Sequence, residues 1–289
     1  MKVKLLSDTS CDLSKMVEPD IDVERLPLYV IQGETSYLDT IDITSEEIYR
    51  RMRQGEYFST SQVTYHDFYE AYKKAAEEGV PTISLNLSRG ISGTYQSAVL
   101  AKNQILEEYP DFLLEVVDTL SVTGGLGLFL YYLNKKVKAG ADFHETLAYA
   151  NQLKGRVRHV FSGNDLDYFY RGGRLSKTSA VLGNVLGIKP ILYIDPQEGD
   201  IRVLKKARSE KKLISGIIEY MKEHNTGEDL KDQVVIICHS DAPELADKMK
   251  VAIEEEFGTQ KVYLDLIAPV IGVHTGPGII AIFFMTEMV

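Results

Sequence analysis

The turn that follows an apolar run at residues 82–87 carries the clearest chemistry in the sequence. It reads Ser88-Arg89-Gly90-Ile91-Ser92-Gly93-Thr94 and leads into an amphipathic helix that begins at about Ser92. A helix N-terminus presents unpaired N–H groups and the positive end of the helix dipole. The hydroxyls of Ser88, Ser92 and Thr94 are expected to add donors aimed the same way. The turn therefore predicts an anion site, with simple helix capping as the alternative.

The spacing in this turn argues against two familiar enzyme motifs. A P-loop requires Gly-Lys followed by Ser or Thr, and no such residues follow Gly93. A hydrolase nucleophile elbow requires G-x-S-x-G, but Thr94 stands where the last glycine belongs. The predicted anion is therefore not a nucleoside triphosphate, and Ser92 lacks the surroundings expected of a nucleophile.

Three other hydroxyl-rich or glycine-rich turns occupy predicted strand ends, at residues 7–13, 59–64 and 119–127. In the second of these, Ser61 or Thr64 is expected to cap the following helix, which leaves Thr60 free to face a cleft. In the third, the pair Gly125 and Gly127 lacks the third glycine of a dinucleotide-binding fingerprint.

Two later segments also contain candidate site residues. The basic turn Arg171-Gly172-Gly173-Arg174 is either a helix stop with two solvated arginines or a site where Arg174 contacts a phosphate or carboxylate. The glycine-rich segment 271–278 reads as a loop and contains His274, the best site candidate among six histidines. A single loop histidine is more often structural than functional.

The elements that position these residues change character along the chain. In the first half, predicted strands at 3–6, 26–31, 82–87 and 113–117 alternate with helices, with capping sequences at Thr44 and Asp142 and helix stops at Gly79 and Gly140. In the second half, six predicted strands include a hairpin around residues 196–199. We therefore expect an α/β protein of two domains: a mostly parallel α/β sandwich over 1–155 and an α+β domain over 156–289, with the ligand site at or near their interface.

Composition narrows the class of protein. The 289 residues are 44% hydrophobic and 26% charged, and their net charge of −10 disfavours binding to nucleic acid or to an anionic membrane. No apolar run is long enough to span a bilayer and no secretory signal is visible, so we expect a cytoplasmic protein without stable membrane insertion. The distant cysteines Cys11 and Cys238 suggest buried thiols, and no metal site or cofactor is expected. A basic cluster at 202–212 could dock an acidic partner.

Taken together and in order, these segments resemble the DegV family over nearly the whole chain. The matching motifs are SDTSCDL at 7–13, YLDTIDIT at 37–44, TSQ at 60–62, LSRGISGTYQSA at 87–98, LDYFYRGGRLS at 166–176, GIKPIL at 187–192, KKAR at 205–208 and HTGPG at 274–278. The resemblance implies a two-domain protein that holds one long-chain fatty acid in an apolar tunnel. It also implies a carrier, without catalytic residues, for a separate fatty acid kinase subunit that uses ATP to make acyl phosphate for phospholipid synthesis.

The resemblance also implies roles for individual residues. The fatty acid carboxylate would be bound by Thr60 and Ser92 with His274 nearby, and supporting positions would be Ser61, Gly93, Thr94 and Thr275. Docking of the kinase would involve Arg174 and Arg208. Two alternative functions are a Ser92/His274 hydrolase and a regulator that binds phosphate or a phosphosugar; the latter would require a polar cleft in place of an apolar tunnel.

Overall fold

The computed structural model describes residues 3–13, 21–163, 165–175, 188–225 and 230–286. Ser176 and Gly187, at the ends of two of the motifs above, lie outside this range. The strands in the described part are β1 Lys4–Asp8, β2 Glu24–Leu26, β3 Tyr29–Gln32, β4 Thr35–Leu38, β5 Ser59–Ser61, β6 Thr82–Asn86, β7 Leu114–Asp118, β8 Val157–Ser162, β9 Lys189–Ile194, β10 Ile201–Ala207, β11 Val235–Ser240, β12 Val262–Leu266 and β13 Ile279–Met285.

The helices in the same ranges are α1 Ser45–Arg53, α2 Tyr65–Glu77, α3 Thr94–Glu108, α4 Gly124–Lys138, α5 Phe143–Leu153, α6 Asp167–Arg171, α7 Glu210–His224, α8 Pro243–Phe257 and α9 Pro269–Thr275. The predicted capping residues Thr44 and Asp142 accept hydrogen bonds from the first-turn N–H groups of α1 and α5. At α2 the capping residue is Thr64, and Ser61 is not used. The glycines Gly79 and Gly140 follow the ends of α2 and α4 with φ of +66° and +96°.

The first sheet is parallel, as predicted, with strand order β2-β1-β6-β7. Its inner strands are almost wholly buried, as expected of a parallel sheet covered on both faces. The prediction of a single strand over 26–31 was wrong. The chain leaves the first sheet at Pro27, which has no N–H to donate, and Tyr29 begins a strand in a different sheet.

The sheet that Tyr29 enters is a small antiparallel one with strand order β4-β3-β5. We did not predict β4 or β5, because strands of four and three residues with sequences TSYL and STS show little apolar alternation. Strand β5 carries Thr60, which pairs with Val30 of β3. The small sheet therefore fixes the backbone of one predicted site residue.

The third sheet has six strands in the order β10-β9-β8-β13-β11-β12, and it is antiparallel except for the β11–β12 pair. The predicted hairpin of β9 and β10 is confirmed. In the fully buried β13, alternate residues face two different cores. Ile280, Ile282 and Phe284 pack with α7 and α8, whereas Ala281 and Phe283 face the rest of the protein.

Helix α4 joins the two large sheets into one hydrophobic core. It contacts β8, β11 and β13, and its glycine-rich first turn lies directly against them, because a side chain at Gly124 would collide with Phe283 and Cys238. A helix that is apolar on nearly every side is expected in such a buried position. The core extends across the predicted division at residue 155, so that boundary remains a prediction.

The short helix α9 was not predicted; we expected a loop there. Its N-terminal N–H groups are buried, and carboxylates from the first half of the chain accept them: Asp12 from Ala268 at 3.0 Å and Asp39 from Val270 at 2.9 Å. Tyr49 donates to the Ile267 carbonyl at 2.8 Å. Burial raises the pKa of Asp39 to about 7 and that of Asp12 well above its ordinary value.

Two further findings concern membrane-spanning helices and the cysteines. Within the described ranges, no helix is long and apolar enough to cross a membrane. Cys11 and Cys238 are free and buried, which confirms the prediction that each is a small interior residue.

The turn at Gly90 provides a test of how closely the two halves of the chain approach. A Cβ there would lie 2.7 Å from the backbone of Glu198 and Gly199 in the β9–β10 hairpin. We expect Gly90→Ala to lower the free energy of unfolding by about 1–3 kcal/mol, because backbone atoms cannot rotate out of the way. Chemical denaturation would measure the change.

The control is Leu100→Ala on the exposed side of α3, which should change stability by no more than about 0.5 kcal/mol. Equal stabilities of Gly90→Ala and Leu100→Ala would show that the hairpin does not hold this position.

Candidate functional site

Two of the four predicted turns meet in an open cleft. The turn before α3 and strand β5 face each other, and α9 forms a third side. The polar side chains of the cleft belong to Thr60, Ser61, Gln62, Thr64, Tyr65, Ser92, Ser97, Arg174 and His274, and Gly93 also lines it. The predicted carboxylate-binding residues Thr60, Ser92 and His274 are therefore brought together, although they are far apart in sequence.

Thr60 and His274 are in direct contact. The Thr60 Oγ1 and His274 Nε2 atoms are 2.7 Å apart, across 214 positions of sequence. Burial, together with the nearby Arg174 charge, lowers the pKa of His274 to about 4. Its imidazole is consequently neutral at pH 7. The other ring nitrogen, Nδ1, is buried beside Gly172 and has no hydrogen-bond partner in the described residues.

The N-terminus of α3 is open toward the cleft. Its N-cap residue is Gly93, and no side chain caps the helix. The Ser92 hydroxyl lies at this end, where it accepts from the Thr94 N–H at 3.2 Å and lies 3.0 Å from the Thr94 hydroxyl. A helix N-terminus with a glycine at the N-cap and a hydroxyl beside it is well suited to a carboxylate or phosphate.

The prediction that Ser88, Ser92 and Thr94 aim their hydroxyls the same way was wrong. Ser88 is buried and donates to the Gly199 carbonyl at 2.9 Å, so it holds the β9–β10 hairpin. Thr94 is also buried, and its hydroxyl contacts Ser92. Only Ser92 of the three lines the cleft.

The turn at residues 7–13 does not belong to the site. Its side chains bond to backbone N–H groups of the protein: Asp8 accepts from Ser10 and Leu87, and Thr9 accepts from Leu28. This turn is nearly inaccessible to solvent. Its polar residues therefore anchor the backbone near the ends of the parallel strands.

Behind the cleft lies a narrow apolar cavity of about 60 Å³. It is bounded by the inner face of the six-stranded sheet and by side chains from both halves of the chain: Ile91, Val122, Thr123, His159, Phe161, Phe169, Arg174, Ile194, Ile201, Ile267, Ile271, His274, Thr275, Ile279, Ala281 and Phe283. Ile91, Arg174, Ile271 and His274 line both spaces, so the cleft and the cavity adjoin each other. Sequence alone did not reveal these residues, because cavity walls and cores share one composition.

Several site residues have positions that the sequence did not indicate. Thr275 borders the cavity and not the cleft. Gln62, which we had not singled out, donates to Ser97 at 2.6 Å across the cleft wall. The capping box of Thr64 and Asp67 starts α2 after Gln62. It was the one sequence signal that Gln62 lies outside the helix and is available for this contact.

Arg174 lies at the junction of the cleft and the cavity. It is half-buried, and its Nε atom donates to the Ile91 carbonyl at 3.1 Å while the guanidinium also contacts the Gly172 carbonyl. Arg208, by contrast, is exposed just beyond the end of β10. The predicted docking role of both arginines remains a prediction.

The geometry does not form a serine hydrolase site. His274 Nε2 bonds to Thr60 and not to Ser92, and Nδ1 has no carboxylate partner among the described residues. A serine nucleophile requires a base within hydrogen-bond distance and a third group that orients this base. Neither contact is made here.

Comparison with known proteins is consistent with this arrangement. A sequence profile described as "Uncharacterised protein, DegV family" matches residues 2–287. A DegV domain-containing protein of Clostridium perfringens is 34% identical over 288 residues, which cover 99% of this chain and 98% of the relative.

Solved structures share the fold over almost their full length. A stearic acid-binding protein from Eubacterium ventriosum has a TM-score of 0.85 and 28% identity, covering 98% of each chain. The fatty acid kinase B3 protein of Streptococcus pneumoniae, loaded with linoleic acid, has a TM-score of 0.88, covering 99% of this chain and 100% of that one. At 20% identity, the latter shows a common fold alone.

The low pKa of His274 predicts a pH-dependent contribution to stability. The folded state binds this proton at a pKa of about 4 and the unfolded chain at about 6.5, so stability is lost as the pH falls between these values. Between pH 7 and pH 4, we expect the free energy of unfolding to fall by about 3 kcal/mol more in wild type than in His274→Gln.

Urea denaturation of both proteins across this range would measure the difference. The buried groups Asp8, Asp12 and Asp39 are common to both proteins, and their contributions cancel. Parallel stability curves for the two proteins would contradict a buried, neutral His274.

Proposed function

The chain belongs to the DegV family, and we propose that it binds one long-chain fatty acid and presents the carboxylate to a separate ATP-dependent kinase. The carboxylate would occupy the cleft and the acyl chain the cavity behind it. The observation that carries the proposal is a donor-rich cleft that adjoins a narrow apolar cavity. The stearic acid bound by the Eubacterium ventriosum relative supports the same ligand class.

Burial of the chain would supply most of the affinity. Each methylene removed from water contributes about 0.8 kcal/mol, so a chain of roughly 14 to 16 carbons would contribute on the order of 10 kcal/mol before ordering costs. The cavity lining contributes aliphatic and aromatic side chains and few polar ones. A ligand bound in this way should remain bound during purification.

The head group would be held by hydroxyls and the helix terminus. His274 is neutral, so one ring nitrogen carries a proton; a proton on Nε2 would donate to Thr60 Oγ1. The Thr60 O–H is then released to donate to the carboxylate, as is Ser92 O–H at the N-terminus of α3. Ser61, Gly93 and Thr94 would support this arrangement from the same two turns, and the Arg174 charge would add attraction at the mouth.

The kinase would reach the carboxylate through the open side of the cleft. Support for such a partner comes from the basic face formed by Lys206, Arg208, Lys211 and Lys212, which are exposed. Other members of the basic cluster are already paired, Arg202 with Asp195 and Lys205 with Glu219. The kinase would form acyl phosphate for phospholipid synthesis, and its use of ATP implies a cytoplasmic site of action.

The head-group assignment predicts the effect of two substitutions. Ser92→Ala and Thr60→Val should each weaken fatty acid binding about tenfold, the loss of one hydrogen bond to a charged group. Native mass spectrometry followed by lipid extraction would measure retention. Thr35→Val, on the exposed strand β4, is the control and should retain the wild-type amount of lipid.

Wild-type protein that is purified empty and also fails to take up added fatty acids would contradict the proposal. The cleft would then be better explained as a phosphate or phosphosugar site.

The positions of the two arginines predict different defects. Arg208→Ala should retain its lipid and reduce kinase-dependent acyl phosphate formation about tenfold, equivalent to one lost contact of about 1.4 kcal/mol. Arg174→Ala should reduce both lipid retention and turnover, because the side chain lines the cleft and cavity. The measurement is acyl phosphate formation with a kinase subunit from the same organism, alongside bound lipid. Loss of lipid from Arg208→Ala would show that docking and binding are not separate.

A further inference from the structure

The two facing walls of the cleft are joined by a side chain that the proposed function does not use. Gln62 directly follows β5, and its exposed side chain lines the cleft. Its Nε2 atom donates to the Ser97 hydroxyl oxygen at 2.6 Å. Ser97 belongs to the first turn of α3 and is 5% exposed. A polar side chain of one wall is therefore bonded to a buried hydroxyl of the other.

The same amide group lies against the N-cap residue of α3. A Cβ added at Gly93 would collide with Gln62 Oε1 and would lie 3.0 Å from the amide carbon. Gly93 has a φ of −76°, which any residue adopts, so the backbone conformation does not require glycine here. The space that a side chain at residue 93 would need is occupied by Gln62. Gln62 thus contacts the start of α3 at residues 93 and 97, about one helical turn apart.

These contacts connect the two hydroxyls that would hold the head group. Thr60 lies two residues before Gln62, within β5, and Ser92 directly precedes Gly93. Thr60 and Ser92 both line the cleft. Two donors on different walls can bind one carboxylate only when their separation matches it, and donors that are held in place before binding give the higher affinity. A contact that fixes the two walls therefore also fixes the spacing of these donors.

The other anchors of the turn before α3 point away from β5. Ser88 donates to the Gly199 carbonyl in the β9–β10 hairpin, and the Ile91 carbonyl accepts from Arg174. Both partners belong to the second half of the chain. Gln62 supplies the contact toward the wall that carries Thr60.

We propose that Gln62 is a positioning residue for the carboxylate: it bridges the end of β5 to the start of α3 and thereby sets the spacing of Thr60 and Ser92. Gly93 is required because a larger residue would displace this bridge. The inference rests on the proposed function and deepens it at the head group. Gln62 acts through the two hydroxyls, and it does not border the apolar cavity.

Equilibrium binding of stearic acid and of octadecan-1-ol to delipidated protein tests the proposal. The two ligands have hydrocarbon chains of the same length, but the alcohol has a single uncharged oxygen and does not need two spaced donors. Gln62→Ala should weaken binding of stearic acid about fivefold, as for one lost hydrogen bond, and change binding of the alcohol by less than about twofold. Gln62→Glu places a negative charge beside the carboxylate and should weaken stearic acid binding more than Gln62→Ala does, again without affecting the alcohol.

A second comparison uses the contact with Gly93. Gly93→Ala should displace the Gln62 amide and weaken stearic acid binding about as much as Gln62→Ala does. The double variant should bind no more weakly than either single variant, because the added methyl group has free space once Gln62 is truncated. The control is Gln104→Ala, also on α3, whose amide bonds to Glu108 at 2.8 Å outside the cleft. It should bind both ligands as wild type does.

The outcomes separate the role of Gln62 from the carrier function. If Gln62→Ala binds stearic acid like wild type, or weakens both ligands equally, the positioning role is overturned while the proposed function stands. If the effects of Gln62→Ala and Gly93→Ala multiply in the double variant, the two residues act independently and the bridge is overturned. If wild type does not bind stearic acid, the proposed function fails as well.

Discussion

The site depends on the anchoring of α9 by carboxylates from the first half of the chain. Asp12 and Asp39 accept the buried N–H groups of Ala268 and Val270, and Tyr49 holds the adjacent Ile267 carbonyl. Without these contacts, the start of α9 would bury donors that no helix can satisfy internally. With them, His274 reaches Thr60, the cleft has its third side, and Ile271 borders both the cleft and the cavity. Burial of these carboxylates disfavours their charged forms, which raises the pKa values of Asp12 and Asp39.

The polar and apolar groups of the site line two separate, adjoining spaces, the cleft and the cavity. The cleft end combines hydroxyls, an open helix N-terminus and Arg174, whereas the cavity end is lined by the inner face of β8, β9 and β13. An amphiphile with one charged end can satisfy both regions in only one orientation, head outward. Burial of His274 and His159 keeps both imidazoles neutral, so Arg174 is the one cation among the described residues that line these two spaces.

The sequence predicted the regular elements well where periodicity is strong. Strand β13 has the predicted bounds, and Thr44 and Asp142 cap the predicted helices. Prediction failed where elements are short or depend on distant contacts. The strands β4 and β5 have three or four residues, and α9 begins with Pro269 in a segment whose glycines suggested a loop. A seven-residue helix is too short to be stable by itself and forms here through tertiary contacts.

The sequence by itself determined the α/β class, the helix caps, the turn at residues 88–94, and Thr60, Ser92 and His274 as candidates, because these depend on local residue type, spacing and motif resemblance. Only the tertiary structure decided which hydroxyls face the ligand space. The Ser88 hydroxyl bonds to the hairpin and that of Thr94 contacts Ser92, while Thr60 and Ser92 line the cleft. The orientation of a side chain depends on partners that can be more than 100 residues away, as between Ser88 and Gly199, and no local pattern encodes that distance. Cavity walls and solid core are likewise built from the same apolar residues, so packing alone separates them.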